Sequence, residues 1–298
     1  MAEIPFVGEA FALAAPVCWA VAVVLFRKSG YSVGAVALNL FKNVVALALF
    51  AATLFFVGGP SPSSIGARDY ALLLASGVIG IGISDTLFFM TLNRVGASLE
   101  AIITTSYSPF IILLSFLFLG ERMGAVQIVG VLLILSAVLS VGWMRGPKGE
   151  IPGRTLAAGI GFGLLATSTQ AVAIVMIKPV LGGYPLIWAS TWRLVGGVVA
   201  SFLLLPLLSD RKAALASLRN RRVWPVMIPA TLMGTYVSLL FWLAGMKYTQ
   251  ASIAAALNQT STLWTFVFAA LILREAVTRK RIAGLFLGVV GVAMVTMG

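Results

Sequence analysis

Ten long apolar runs, separated by short polar or glycine- and proline-bearing breaks, make up almost the whole chain. They cover residues 9–26, 33–57, 70–92, 98–119, 124–144, 155–177, 185–208, 223–246, 251–273 and 280–297. Each is close to the ~20 mostly apolar residues that a helix needs to cross a bilayer core. The breaks carry turn residues: Gly58-Gly59-Pro60-Ser61-Pro62, Gly146-Pro147 and Gly182-Gly183-Tyr184-Pro185. Only 209–222 leaves room for a surface helix, and no length remains for a soluble domain. The pattern predicts an all-α membrane protein of ten transmembrane helices.

Composition sharpens this. The 298 residues are 60% apolar and 10% charged, with a mean hydropathy of +1.04. A soluble protein must turn a large share of its residues to water, so the solvent for most of this chain is lipid. That excludes a soluble enzyme, a secreted disulfide scaffold and a disordered chain. Cys18 is the single cysteine, so no internal disulfide forms, and a buried spectator is the expected role. The absence of histidine removes histidine metal sites, histidine triads and histidine proton relays. Proton coupling would fall to carboxylates, tyrosine or lysine, and no metal or cofactor is expected. An intramembrane enzyme would need a nucleophile with a base, or a metal cluster, and these residues supply neither. Met1 to Phe11 holds Glu3 and Glu9 but no Lys or Arg, unlike a signal peptide.

The formal charge of +12 sits at the ends of the apolar runs rather than in an aromatic-basic module, so no nucleic-acid partner is expected. Connections after the odd-numbered runs hold fifteen Lys and Arg, and those after the even-numbered runs hold four. The positive-inside rule then puts both termini outside the cytoplasm, and a bacterial inner membrane is the expected location.

The chain also repeats itself. A shift of 154 lays residues 97–142 on 251–296 without a gap, bringing Ala97 and Ser98 onto Ala251 and Ser252 and Glu121 onto Glu275. It carries Gly80 and Ser84 to Gly234 and Ser238. Nearer the start of each half a shift of 151 sets Lys42 on Arg193. Five runs per half is an odd number, so the second half enters the membrane from the opposite face. This predicts two inverted five-helix repeats, 1–148 and 149–298, enclosing a site near the midplane.

The run Leu92-Asn93-Arg94-Val95-Gly96-Ala97-Ser98, with Tyr107-Ser108-Pro109 and Leu119-Gly120-Glu121-Arg122, resembles the repeat of EamA transporters in the drug/metabolite transporter superfamily. Gly245-Met246-Lys247-Tyr248-Thr249 with Ala251-Ser252 resembles the same stretch in the second half. Trp19, and the basic residues Lys42 and Arg193 in runs 2 and 7, also fit. The second half departs from the pattern at Arg274-Glu275, where Arg stands for Gly, and at Leu263, where the proline is missing. The resemblance covers nearly the whole chain. It implies a ten-helix exporter of small metabolites such as amino acids, with both termini inside, the opposite of the charge count.

Charged side chains at mid-membrane are costly and face a cavity or a partner. Asp85 and Lys42 lie roughly 10 Å and 14 Å from the same face, counting 1.5 Å per residue, so they can pair. Asp85 then serves either as a coupling or substrate-amine carboxylate or as half of a structural lock between runs 2 and 3. Arg193 either binds a substrate carboxylate, snorkels or bonds backbone carbonyls. Glu100 is a gate or proton acceptor, or pairs with Arg94 at the mouth. Neutral polar residues recur at matching depth: Thr104 and Tyr107 in run 4, Asn258, Gln259 and Ser261 in run 9, Gln170 in run 6 and Tyr236 in run 8. They either line a cavity or bond helix to helix. Trp19, Tyr107 and Tyr236 can stack on a flat or cationic solute. Pro16 and Pro109 are candidate hinges. Glu121 and Glu275 precede runs 5 and 10, where a carboxylate complements the helix dipole. Gly284, Gly288 and Gly291 permit close contact with a second copy, but a monomer is the expected state. The residues together predict a secondary transporter that moves a small amphipathic solute by alternating access, with lipids as its surroundings. A lipid flippase or scaffold and a facilitative channel are the alternatives.

Overall fold

The structure, a computed structural model, describes residues 7–58, 66–119, 124–141, 151–181, 183–208, 211–248, 257–258 and 260–297. Every regular element among the described residues is helical. Helices α1 (Val7–Ser29), α2 (Ala35–Val57) and α3 (Ala67–Val95) are followed by the short α4 (Ala97–Thr104), then α5 (Tyr107–Leu119) and α6 (Ala125–Val141). Next come α7 (Gly153–Leu181), α8 (Leu186–Leu204) and the exposed α9 (Arg211–Arg219). Helix α10 runs as Trp224–Thr231, Leu232–Val237 and Ser238–Tyr248, and α11 (Ser261–Ile272) and α12 (Arg279–Met297) close the chain.

Six of these are long and apolar enough to cross a membrane: α1, α2, α3, Gly153–Ile177 of α7, Leu186–Leu207, and Trp224–Trp242 of α10. Ala125–Ser140 and Ser261–Ile272 are apolar but shorter. Large apolar side chains such as Leu139, Leu203, Leu271 and Phe286 stand exposed on the surface, which suits lipid and not water.

The expected fourth span, 98–119, is two helices rather than one. At the junction Ser106 N–H donates to Ile103 O at 3.0 Å, a tight i→i−3 turn. Pro109 has no N–H for the carbonyl of Thr105, and Ser108 N–H takes that oxygen at 3.3 Å instead. The proline therefore sits in the first turn of α5, just past the break. Pro16, by contrast, is buried within the continuous α1. Gly96 joins α3 directly to α4. Its φ of +86° is one that a side chain would strain, its N–H closes α3 on Leu92 O at 3.1 Å, and its carbonyl opens α4 by accepting Glu100 N–H at 3.1 Å.

Two helices widen locally into π-helix, α3 at Gly77–Ser84 and α10 at Leu232–Val237. The shift of 154 carries the first stretch onto 231–238. The same shift carries the break before Tyr107 onto Ser261, where α11 starts. There Thr260 N–H donates to Leu257 O at 3.1 Å, the counterpart of Ser106 on Ile103.

Most packing runs between residues before 142 and residues after 152. α1 lies against α10 and α11, α3 against α7 and α8, α2 against α8, and α6 against α12. Small residues set these approaches: a Cβ on Gly77 would stand 1.9 Å from the Arg193 carbonyl oxygen, and one on Gly196 2.2 Å from that of Leu74. In α12, Gly291 abuts the Gly130 carbonyl and Gly288 abuts Thr105, so both glycines pack within the chain.

Candidate functional site at the widened stretch of the third helix

The sequence Gly77-Val78-Ile79-Gly80-Ile81-Gly82-Ile83-Ser84 consists of glycines, β-branched residues and a serine, with no strong helix former, and it is here that α3 widens. A widened turn shifts carbonyls out of the usual ladder, and side chains from neighbouring helices meet them. Asn39 on α2 donates through Nδ2 to Ile81 O at 2.9 Å, to Gly82 O at 3.0 Å and to Thr86 Oγ1 at 3.0 Å. Thr86 itself donates to Gly82 O at 2.7 Å.

One turn along α2, Lys42 reaches Asp85 at the end of the stretch and forms an ion pair through Oδ2. The depth arithmetic for these two residues is matched by the contact. The Lys42 side chain is 3% exposed and that of Asp85 24%, so the cation is the more deeply buried partner. Asn43 donates to Ser201 Oγ on α8 at 3.0 Å.

Arg193 enters from α8 beside Gly77. It is buried rather than snorkelling, and among the described residues it bonds no backbone carbonyl. Its Nε donates to Ser76 Oγ at 3.1 Å, and the Ser76 hydroxyl proton goes to Ala173 O on α7 at 2.8 Å. The residue is 7% exposed. It lies within electrostatic range of Tyr107 and Asp85. Gln170 of α7 faces Gly80, where an added Cβ would stand 3.0 Å from Gln170 Oε1 and 3.6 Å from Arg193 Nη2. That Oε1 is buried with no hydrogen-bond partner among the described residues.

Two serines tie the widened stretches to the helices beside them. Ser84 Oγ donates to Ala166 O on α7 at 2.8 Å, and Ser238 Oγ donates to Ala15 O on α1 at 2.9 Å. The serines are 154 apart and the alanines 151 apart, so each bond is the image of the other under the two sequence shifts. The glycines follow suit. A Cβ on Gly80 would meet Ala173 Cβ at 2.7 Å, and one on Gly234 would meet Ala22 Cβ at 2.6 Å. Trp19 is then the counterpart of Gln170. It stands 3.6 Å from that Gly234 position, half-buried, with its ring against Phe88.

The remaining candidates lie around this centre. Tyr236 bonds Thr53 through its hydroxyl, with its ring edge-on to Phe50. Glu100 is buried and accepts from Thr104 rather than pairing with Arg94, whose guanidinium covers Phe162 and bonds Met90 O at 3.0 Å. Ser106 at the α4–α5 break meets Thr167 Oγ1 at 2.9 Å. Tyr107, Asn258 and Ser261 are half-buried at the two breaks. Gln259, Glu121 and residues 251–252 lie outside the described residues.

The sequence pattern does not single out Asn39 or Ser76, and it shows only part of what Glu275 binds. Asn39 was findable, because it lies one turn before Lys42 on the same face. Glu275 reaches beyond the helix it precedes. Its carboxylate accepts Ala97 N–H at 2.9 Å and Ser98 N–H at 3.0 Å, and it also bonds the Ser98 hydroxyl, so it caps α4. Arg281, fully buried, stands 3.7 Å from the same carboxylate.

The model of a family described as EamA-like transporter family matches residues 6–143 and again 157–297. A protein of Archaeoglobus fulgidus named an uncharacterized transporter is 23% identical over 292 residues, covering 96% of each chain. A solved structure described only as the crystal structure of a protein superposes with a TM-score of 0.63 at 14% identity, covering 96% of this chain and 95% of that one. That last likeness speaks to the fold alone.

Proposed function

The chain belongs to the EamA-like transporter family, and from that premise we propose that it carries small metabolites, amino acids or related amphipathic compounds, out across the membrane by alternating access. It is an integral multi-pass membrane protein of a family of transporters, not enzymes. In this reading residues 1–148 and 149–298 are two inverted five-helix repeats, ten spans in all. The solute sits between them, beside the widened stretches of α3 and α10.

The observation that carries the reading is the interchanged pair of hydrogen bonds, Ser84 on Ala166 and Ser238 on Ala15. Each bond joins a helix of one half to a helix of the other, and the sequence shifts convert one into the other. Two halves held by matched contacts have two equivalent ways to tilt, and exchange of those tilts moves a central site from one face to the other. The double match of the family model and the matched breaks at Ser106 and Thr260 support the same division. The excess of Lys and Arg after the odd-numbered spans supports both termini outside the cytoplasm.

Counterflow tests the reading. Purified protein in liposomes preloaded with an unlabelled mixture of amino acids should accumulate external labelled amino acid transiently and saturably. Uptake that rises linearly with concentration and shows no overshoot is the behaviour of a pore and would count against a carrier.

A further inference from the structure

At the centre of the molecule two cations face one carboxylate. Lys42 holds Asp85, which leaves Arg193 without an acidic partner among the described residues. Arg193 is more than nine-tenths buried, and its single hydrogen bond among them engages Nε alone. Ser76 fixes that nitrogen and is itself fixed by Ala173 O, so the guanidinium is held in one orientation. The edge with no hydrogen bond among the described residues is the Nη1–Nη2 side, a planar two-donor fork whose spacing matches the two oxygens of a carboxylate. Asp85 lies within electrostatic range but is bound to Lys42, so the charge of Arg193 is taken out of water and only partly balanced, and such a group points to a ligand that completes it. Gln170 Oε1, also buried and unpartnered, flanks the same spot across Gly80 and offers an acceptor for a donor next to that carboxylate.

Resting on the carrier reading, we infer that Arg193 receives the carboxylate of the transported solute, so that the substrate class is organic acids with a hydrogen-bond donor on the adjacent carbon. Amino acids and hydroxy acids meet that description. Amides, amines and sugars lacking a carboxylate do not. Asp85 is not the principal recognition group, because Lys42 already neutralises it. A second cation with no second carboxylate among the described residues makes the surroundings of Arg193 electropositive, which favours an anion.

The test uses the purified full chain and a panel of amino acids and two- to six-carbon hydroxy acids, each beside its own carboxamide. At least one acid should raise the melting temperature and drive counterflow, while its carboxamide does neither. Arg193→Gln should weaken that acid at least tenfold. Arg193→Lys, which keeps the charge without the fork, should fall between the two. Gln170→Leu leaves the cation in place and should weaken amino and hydroxy acids relative to their unsubstituted parent acids, which guards against a misfolded Arg193 variant. A carboxamide that binds as well as its acid, an Arg193→Gln response equal to wild type, or no response to any acid would overturn the inference. Counterflow of the carboxamides in the same vesicles would sink the carboxylate assignment and leave the carrier intact. Pore-like uptake would sink the carrier itself.

Discussion

Replacing Glu275 with alanine should be one of the most damaging single changes outside the centre of the molecule. The carboxylate receives both backbone N–H groups at the start of α4, bonds the Ser98 hydroxyl and faces a fully buried Arg281. A hydrogen bond to a charged group contributes about 1.5–3 kcal/mol. Removing one partner of a buried ion pair costs about 3–5 kcal/mol. The effects overlap and do not add. Arg281 keeps its bond to Ala276 O at 2.9 Å, and Ser98 Oγ remains 3.4 Å from its Nη1, so part of the loss is recovered. A net loss of about 3–5 kcal/mol is expected for Glu275→Ala, and about 2–3 kcal/mol for Glu275→Gln, which keeps one acceptor oxygen. Equilibrium unfolding in detergent micelles measures both. The double variant Glu275→Ala/Arg281→Met should lose less than the two single losses combined, because each single loss already contains the interaction between the two side chains. An alanine variant within about 1 kcal/mol of wild type would refute the capping role, since the two N–H groups of α4 alone are worth more than that.

Arg274 sits just before Glu275 with φ +55°, and Glu275 N–H closes the turn on Ala269 O at 3.2 Å, so Arg274→Gly should stabilise by about 0.5–1 kcal/mol in the same unfolding assay. Asp85→Asn should destabilise by about 2–3 kcal/mol, because Lys42 keeps an acceptor oxygen but loses its counter-charge. The double variant Lys42→Met/Asp85→Leu should be more stable than either single variant, as judged by melting temperature. Gly77→Ala should cost at least about 2 kcal/mol, because its Cβ would overlap the Arg193 carbonyl, whereas Gly161→Ala, inside α7 with nothing within 4 Å, should be neutral or stabilise by up to about 1 kcal/mol.

The apolar runs and the two shifts were legible because burial in lipid and duplication both leave marks that survive in a linear chain. The Lys42–Asp85 pair was legible for the same reason. Depth in a membrane is a count of residues, and two charges at similar depth on adjacent antiparallel spans have few other partners. Lateral neighbours were less accessible. Nothing in the pattern says that Glu275 reaches a helix start 177 positions earlier, since a shift relates equivalent residues and not touching ones. The π-helical stretches were hidden too, because a change of hydrogen-bond register leaves hydrophobicity untouched. Only Gly77, Gly80 and Gly82 hint at it. Arg274 is the instructive departure. Its mismatch with the family pattern marks a left-handed cap, a backbone requirement that the residue type alone does not display.

Two inverted halves require equivalent loops to face opposite sides of the membrane. Ser32 follows α1 and Gly183 follows α7, both are exposed, and they are related by the shift of 151. With Cys18 replaced by serine, a single cysteine at each position can be labelled with a membrane-impermeant maleimide in intact cells and again after lysis. Labelling at 183 in intact cells, and at 32 only after lysis, is the expected outcome. Labelling of both positions from the same side would contradict the inverted arrangement.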